Sequence, residues 1–90
     1  MSEKIVLITG ASSGIGESTA LLLKNKGFIV YAAARRVDKM KPLESLGITI
    51  LKMDVTDDAS MVSGVKSIID KHGKIDVLVN NAGYGSYGAL

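Results

Sequence analysis

The stretch Ile5-Val6-Leu7-Ile8-Thr9-Gly10-Ala11-Ser12-Ser13-Gly14-Ile15-Gly16 joins an unbroken aliphatic run to a glycine-serine turn. A run with no polar alternation is expected of a strand buried on both faces. The turn then opens a helical stretch, and its small residues each have a physical use. Gly10 lets the chain reverse sharply, Gly14 lets backbone approach a diphosphate with no Cβ in the way, and Gly16 lets the helix lie close to the strand. The N–H groups at the helix start point at such phosphates, and Ser12 and Ser13 add hydroxyl donors. The competing interpretation is a plain strand-to-helix loop; three glycines at this spacing, between strand and helix, favour the phosphate site. A P-loop is excluded, because Glu17 follows Gly16 where that loop needs Lys and then Ser or Thr.

Downstream, helical and extended patterns alternate. Leu21, Leu22 and Leu23 lie in a helix that stops at Lys24, Lys26 and Gly27, and Phe28 to Ala34 reads as a second strand. Asp38 is expected to cap a short helix ending at Gly47, provided that Pro42 sits in its first turn. Ile48 to Leu51 forms the third strand. Thr56 is the expected N-cap of a third helix, with Asp57 and Asp58 favourably placed at its positive end. Met61, Val62, Val65, Ile68 and Ile69 share one face of that helix, which closes at Lys71, His72 and Gly73. Ile75 to Val79 forms the fourth strand, interrupted by Asp76 near its start. The order β-α-β-α-β-α-β predicts a parallel sheet with helices on both faces. Right-handed crossovers give the strand order 3-2-1-4, the N-terminal half of a Rossmann-type doubly wound α/β sheet. Residues 1–90 are expected to be a single, partial dinucleotide-binding domain.

The tip of the second strand discriminates between cofactors. A carboxylate about 20 residues past the glycines binds the adenosine ribose hydroxyls of NAD. Here the strand ends Ala33-Ala34-Arg35-Arg36. A guanidinium pairs bidentately with a 2′-phosphate, which a carboxylate would repel, so NADP(H) is preferred over NAD(H). Arg35 is the first choice for that contact, with Arg36 flanking it or stacking on adenine. A solvated arginine pair is the alternative, and Asp38 is the competing ribose ligand. Asp54-Val55 follows the third strand, where Asp54 either accepts from the adenine amino group beside Val55 or only begins the next turn. Asn80-Asn81-Ala82-Gly83 follows the fourth strand: one Asn is expected to brace strands one and four, and Ala82 and Gly83 to let a cofactor lie against the chain.

Composition limits the function classes. With 47% hydrophobic and 22% charged residues the chain is globular rather than disordered. Four aromatics, Phe28, Tyr31, Tyr84 and Tyr87, leave an aliphatic core. The net charge is +2 and no basic run exceeds Arg35-Arg36, so there is no nucleic-acid footprint. Ile5 to Ile8 is too short to span a membrane or serve as a signal core. The absence of Cys rules out thiolate metal sites and fits a cytoplasmic protein. His72 is expected at a solvated helix end, not as a metal ligand or catalytic base.

These residues together resemble the classical short-chain dehydrogenase/reductase (SDR) family over nearly the whole chain. The resemblance rests on Thr9-Gly10-Ala11-Ser12-Ser13-Gly14-Ile15-Gly16, on Asp54-Val55 and on Asn80-Asn81-Ala82-Gly83, in that order. It implies a cradle of Gly10, Ser12, Ser13, Gly14, Ile15 and Gly16 around the pyrophosphate and nearby ribose. It also implies Arg35 as the NADP(H) marker, Asp54 and Val55 at the adenine, and Asn81 tied to Thr9 with its loop beside the cofactor ribose. The implied reaction is hydride transfer between the nicotinamide and a small carbonyl or alcohol. The Tyr84-Gly85-Ser86-Tyr87-Gly88 segment is similar to that of members acting on alcohols, ketones or steroid-like substrates.

The chain departs from the family in one respect. The family's proton donor is Tyr in a Tyr-x-x-x-Lys pair, and no such pair occurs here: Arg35 stands four residues after Tyr31, and no Lys follows Tyr84 or Tyr87. Such a Tyr needs an adjacent ammonium to lower its pKa. The expectation is a segment of a longer enzyme, inactive alone, with an exposed strand edge that favours self-association into homo-oligomers. A non-catalytic nucleotide-binding module and a structural half-domain are the alternatives.

Overall fold

The computed structural model describes residues 4–11, 14–54 and 56–80. Its elements are β1 (Ile5–Thr9), α1 (Gly14–Asn25), β2 (Ile29–Ala34), a 3-10 turn (Val37–Met40) running into α2 (Lys41–Glu44), β3 (Thr49–Lys52), α3 (Asp58–His72) and β4 (Val77–Asn80). The four strands are parallel and lie in the order β3-β2-β1-β4, as the alternation requires. The second, third and fourth strands start one or two residues later than the apolar runs suggest.

β1 is the central strand, and all five of its residues are buried. Its alternate side chains feed two separate cores. Val6 and Ile8 join Val30, Ala32, Ala34, Met40, Leu43 and Ile48 on one face, with Leu21 and Leu23 of α1 packed against them. Ile5 and Leu7 join Tyr31, Ala33, Met53 and Ile68 on the other, beneath α3. α3 lies so close to β3 that a Cβ on Gly64 would overlap the Met53 methyl.

One device delivers the chain into both β2 and β3. Gly27 and Gly47 take left-handed φ of 95° and 91°. At each, the glycine N–H donates three residues back and the next residue donates five back: Gly27 to Lys24 and Phe28 to Leu23, then Gly47 to Glu44 and Ile48 to Leu43. This is a Schellman closure, in which carbonyls left unpaired at a helix end are satisfied and the chain is reversed.

Four local expectations are corrected. Thr56 does not cap α3: its amide and hydroxyl both donate to Asp54 Oδ1, at 2.9 and 2.6 Å, and Asp57 caps instead by accepting from Ala59 N at 3.0 Å. Asp38 caps nothing, because the 3-10 turn already starts at Val37 and puts Asp38 inside its first turn; Pro42 does lie in the first turn of α2. Val62 and Ile69 stay 65% and 43% exposed, since they flank the stripe of Met61, Val65 and Ile68 that the sheet covers. His72 is not a free solvated end. Its Nε2 lies 2.6 Å from the Tyr31 hydroxyl, with the rings edge-to-face at 5.5 Å. Burial raises the Tyr31 pKa, so the phenol keeps its proton at neutral pH.

Asp76 explains why an acid interrupts the fourth apolar run. Its Oδ2 accepts from Ile5 N at 2.7 Å, its own amide donates to Ile5 O at 2.8 Å, and Lys74 Nζ lies 3.2 Å away. The reciprocal pair fastens the start of β1 to the start of β4. The Ile5 amide holds the Asp76 carboxyl below the usual carboxylate range; burial opposes it, and Lys74 adds a smaller lowering. A depressed folded-state pKa stabilises the fold above the unfolded value of about 4, and that contribution is lost as pH falls through the folded pKa. Thermal melts should therefore show Asp76→Asn less stable than wild type from about pH 5 to 7, with the gap closing below about pH 4; a gap independent of pH would contradict the assignment.

Candidate functional site

The glycine turn, the arginines and Asp54 converge at the carboxyl ends of the strands because β2 binds both of its neighbours beyond their last ladder bonds. Ala33 O accepts from Ala11 N at 3.1 Å, and Ala34 O accepts from Met53 N at 3.0 Å. The first bond holds the turn after β1, and the second holds the chain just ahead of Asp54. Arg35 emerges between them.

In the turn, Gly10 has φ of 66°, a conformation that L side chains rarely adopt, and Ala11 is fully buried beneath it. Gly14 starts α1, and a Cβ built there would meet nothing within 4 Å. Among the described residues packing therefore does not demand a glycine at 14, and the space at its Cβ position is open. Gly16 is buried, while Ile15 is exposed. Ser12 and Ser13 lie outside the described residues.

Arg35, Lys52, Asp54 and Ser60 line a hollow of about 310 Å³. Arg36 follows in extended conformation and leads into the 3-10 turn; it is exposed but is not part of that lining. Asp54 is fixed at both ends of its residue: its amide donates to Ser60 Oγ at 2.9 Å, and its Oδ1 accepts twice from Thr56. These Thr56 bonds, hydroxyl first and amide second, lower its pKa; burial opposes them, and Arg35 adds a further lowering. The carboxylate stays charged at neutral pH and faces the hollow with one oxygen committed. Val55 lies outside the described residues.

On the other side of β1, Thr9 Oγ1 donates to Asn80 Oδ1 at 3.0 Å, with Val79 O at 3.4 Å. An Asn thus braces strands one and four, and the described one is Asn80. Asn81, Ala82 and Gly83 lie outside the described residues. Among the described residues no cluster of His, Asp or Glu could hold a metal ion, and no helix is long and apolar enough to cross a membrane.

Two residues of the site, Lys52 and Ser60, belong to none of the sequence motifs. Lys52 carried a signal, since it is the last residue of β3 and two positions ahead of Asp54. Ser60 carried none, because its contact with Asp54 spans six residues of irregular chain and first helical turn.

Residues 4–89 match the short chain dehydrogenase family. The chain is 47% identical over 91 residues to the 3-ketodihydrosphingosine reductase of Bacteroides thetaiotaomicron, covering 100% of this chain and 32% of that protein. It also superposes on 3-ketoacyl-(acyl-carrier-protein) reductase from Brucella melitensis complexed with NADH, at TM-score 0.82 and 33% identity over 91% of this chain and 35% of that one. Against a variant of actinorhodin polyketide ketoreductase with NADPH, the TM-score is 0.81 at 33% identity, over 97% of this chain and 36% of that one. The chain spans about a third of the length of the curated relatives it matches.

Thr9→Val keeps the shape of the side chain and removes the donor to Asn80. Denaturant unfolding should show a loss of about 1 kcal/mol, the usual net value of a neutral hydrogen bond. An unchanged midpoint would mean that the brace contributes nothing.

Proposed function

The chain belongs to the short-chain dehydrogenase family, and from that premise we propose that it is the NADP(H)-binding portion of an oxidoreductase acting on a carbonyl or alcohol. When bound, the nicotinamide supplies the hydride chemistry; the residues of this chain bind and orient. Gly10, Ser12, Ser13, Gly14, Ile15 and Gly16 take the pyrophosphate, with the α1 N-terminus directed at its charge. Arg35 takes the 2′-phosphate, flanked by Arg36. Asp54 and Val55 meet the adenine, and Thr9, Asn81, Ala82 and Gly83 form the border toward the nicotinamide ribose. The open space at the Gly14 Cβ position, among the described residues, suits a group lying against the helix start.

The observation that carries the cofactor preference is the hollow beside Arg35. Its lining holds two cations and one carboxylate, and that carboxylate is turned toward Thr56. A 2′-phosphate suits this charge balance, whereas an unphosphorylated ribose would call for an acid at the tip of β2. The fold alone does not decide the matter, since one similar structure holds NADH and another NADPH. The reductase names of the relatives support carbonyl reduction as the direction of the reaction. No Tyr-x-x-x-Lys pair occurs in the 90 residues, so we assign proton transfer to no residue here and expect no turnover by this chain alone. The reading includes a cytoplasmic location, which the cysteine-free composition fits, and self-association along β4, an outer strand of the described sheet.

Calorimetric titration of the chain with NADPH and NADH, beside Arg35→Ala, tests the reading. Wild type should favour NADPH. The variant should lose roughly 10- to 100-fold of that affinity, as expected for charge-assisted hydrogen bonds, while NADH binding is little changed. Equal affinities for the two cofactors in the wild type would overturn the preference.

A further inference from the structure

We propose that Lys52 is a second specificity-determining cation of this site, contacting the same phosphate monoester as Arg35. This rests on the NADP(H) reading and adds to it a residue from a different strand. The two side chains leave adjacent strand ends. Lys52 pairs in register with Ala34, the residue just before Arg35, so their backbones are one strand spacing and one residue apart. The Met53 N to Ala34 O bond at 3.0 Å holds that register at its open end. Both side chains then line the one hollow.

Among the described residues neither cation has a close carboxylate partner, although Arg35 is near enough to Asp54 to lower its pKa. Lys66 is paired with Asp70 and Lys74 with Asp76, but among the described residues Arg35 and Lys52 enter no ion pair. The carboxylate that shares their hollow, Asp54, spends Oδ1 on the Thr56 amide and hydroxyl. Two like charges in one concavity repel each other, and a phosphate monoester, close to a dianion at neutral pH, relieves that repulsion. The two cations differ in what they offer. Arg35 presents a planar fork suited to two phosphate oxygens, while Lys52 presents a point charge on a flexible stem that reaches a third. Division of the contacts between β2 and β3 also makes recognition depend on the register of the two strands.

A lysine on an edge strand has a second physical use, because its charge discourages pairing with another chain. That role would leave ligand discrimination untouched, and this difference separates the two. The 90-residue chain is titrated by NMR with adenosine 2′,5′-bisphosphate and with adenosine 5′-monophosphate, for wild type, Lys52→Met, Lys52→Arg and Arg35→Ala. Met keeps the length of the stem without its charge. Lys52→Met should lose about three- to tenfold in affinity for the bisphosphate, a value discounted for solvent exposure, with monophosphate affinity unchanged; Lys52→Arg should recover most of it. Lys52→Met indistinguishable from wild type, while Arg35→Ala loses the preference, would overturn the role of Lys52 and leave the NADP(H) reading standing. Equal weakening toward both ligands in Lys52→Met would overturn it too, by assigning the residue to packing. No preference for the bisphosphate in the wild type, or no binding of either ligand, would overturn both.

Discussion

The two carbonyls that end β2 hold the site together. Ala33 O binds the amide of Ala11 in the glycine turn, and Ala34 O binds the amide of Met53 ahead of Asp54. Neither bond belongs to the regular ladder within the strands; each extends pairing past the point where β1 and β3 stop. Each is therefore a bond made by a segment about to diverge, and it fixes the direction in which the segment leaves. Without the first, the helix start would not be held beside β2; without the second, Lys52 and Asp54 would not share a hollow with Arg35. The small side chains of Ala32, Ala33 and Ala34 let both neighbouring strands and both layers of helix come close here, and all three alanines are buried.

The architecture was legible because it depends on patterns longer than any single side chain. An aliphatic run that leads into a glycine turn or follows a helix-stopping glycine reads as a buried strand, and four such runs with helical spacers leave one strand order once crossover handedness is applied. What escaped was decided by competition between neighbours. Thr56 and Asp57 are both good N-caps, and the outcome turned on Asp54, which captures the Thr56 hydroxyl and amide and leaves the helix to Asp57. Asp38 failed as a cap because the 3-10 turn begins one residue before it. The link of Tyr31 to His72 joins residues 41 apart and follows from the placement of the end of α3 over β2, which no local pattern encodes. In the site, residues on strand tips were found readily, since topology puts every tip at the same end of the sheet. Ser60 was not, because it reaches Asp54 from the flank of a helix.

The electrostatics separates what the fold provides from what the sequence selects. A parallel sheet with a helix N-terminus behind a glycine turn attracts a diphosphate in any member, because the attraction comes from peptide dipoles. Discrimination by one ribose substituent cannot come from that source. In the proposed reading it comes from charges at the tips of β2 and β3, where the chain carries Arg35, Arg36 and Lys52 against Asp54. Asp54 is held by Thr56 rather than by Arg35, so the arginine lowers the pKa of the nearest acid without being sequestered by it. Had that carboxylate formed a close pair with Arg35, the hollow would be nearly neutral and indifferent to an added phosphate.

The two sides of the site are secured unequally. The side of Arg35 and Asp54 stands on β2 and β3 and on a core closed by α1 and α2. The opposite side stands on β4, where Val77 and Leu78 are 38% and 62% exposed and the described residues supply little burial. Apolar burial stabilises in proportion to the area removed from water, so β4 gains less from its own side chains than β2 does. It is held chiefly by its ladder with β1 and by polar clasps at both ends: Asp76 on the Ile5 amide at one, and Asn80 on Thr9 at the other. Polar clasps are directional where burial is not, so they fix the register of a strand that burial would leave poorly specified. Thr9 belongs to the glycine-turn segment as well as to the clasp, so the register of β4 and the position of the turn are set by the same residue. Loosening β4 would disturb the site first at Thr9 and only afterwards at the hollow of Arg35 and Lys52, which depends on bonds made entirely on the other side of β1.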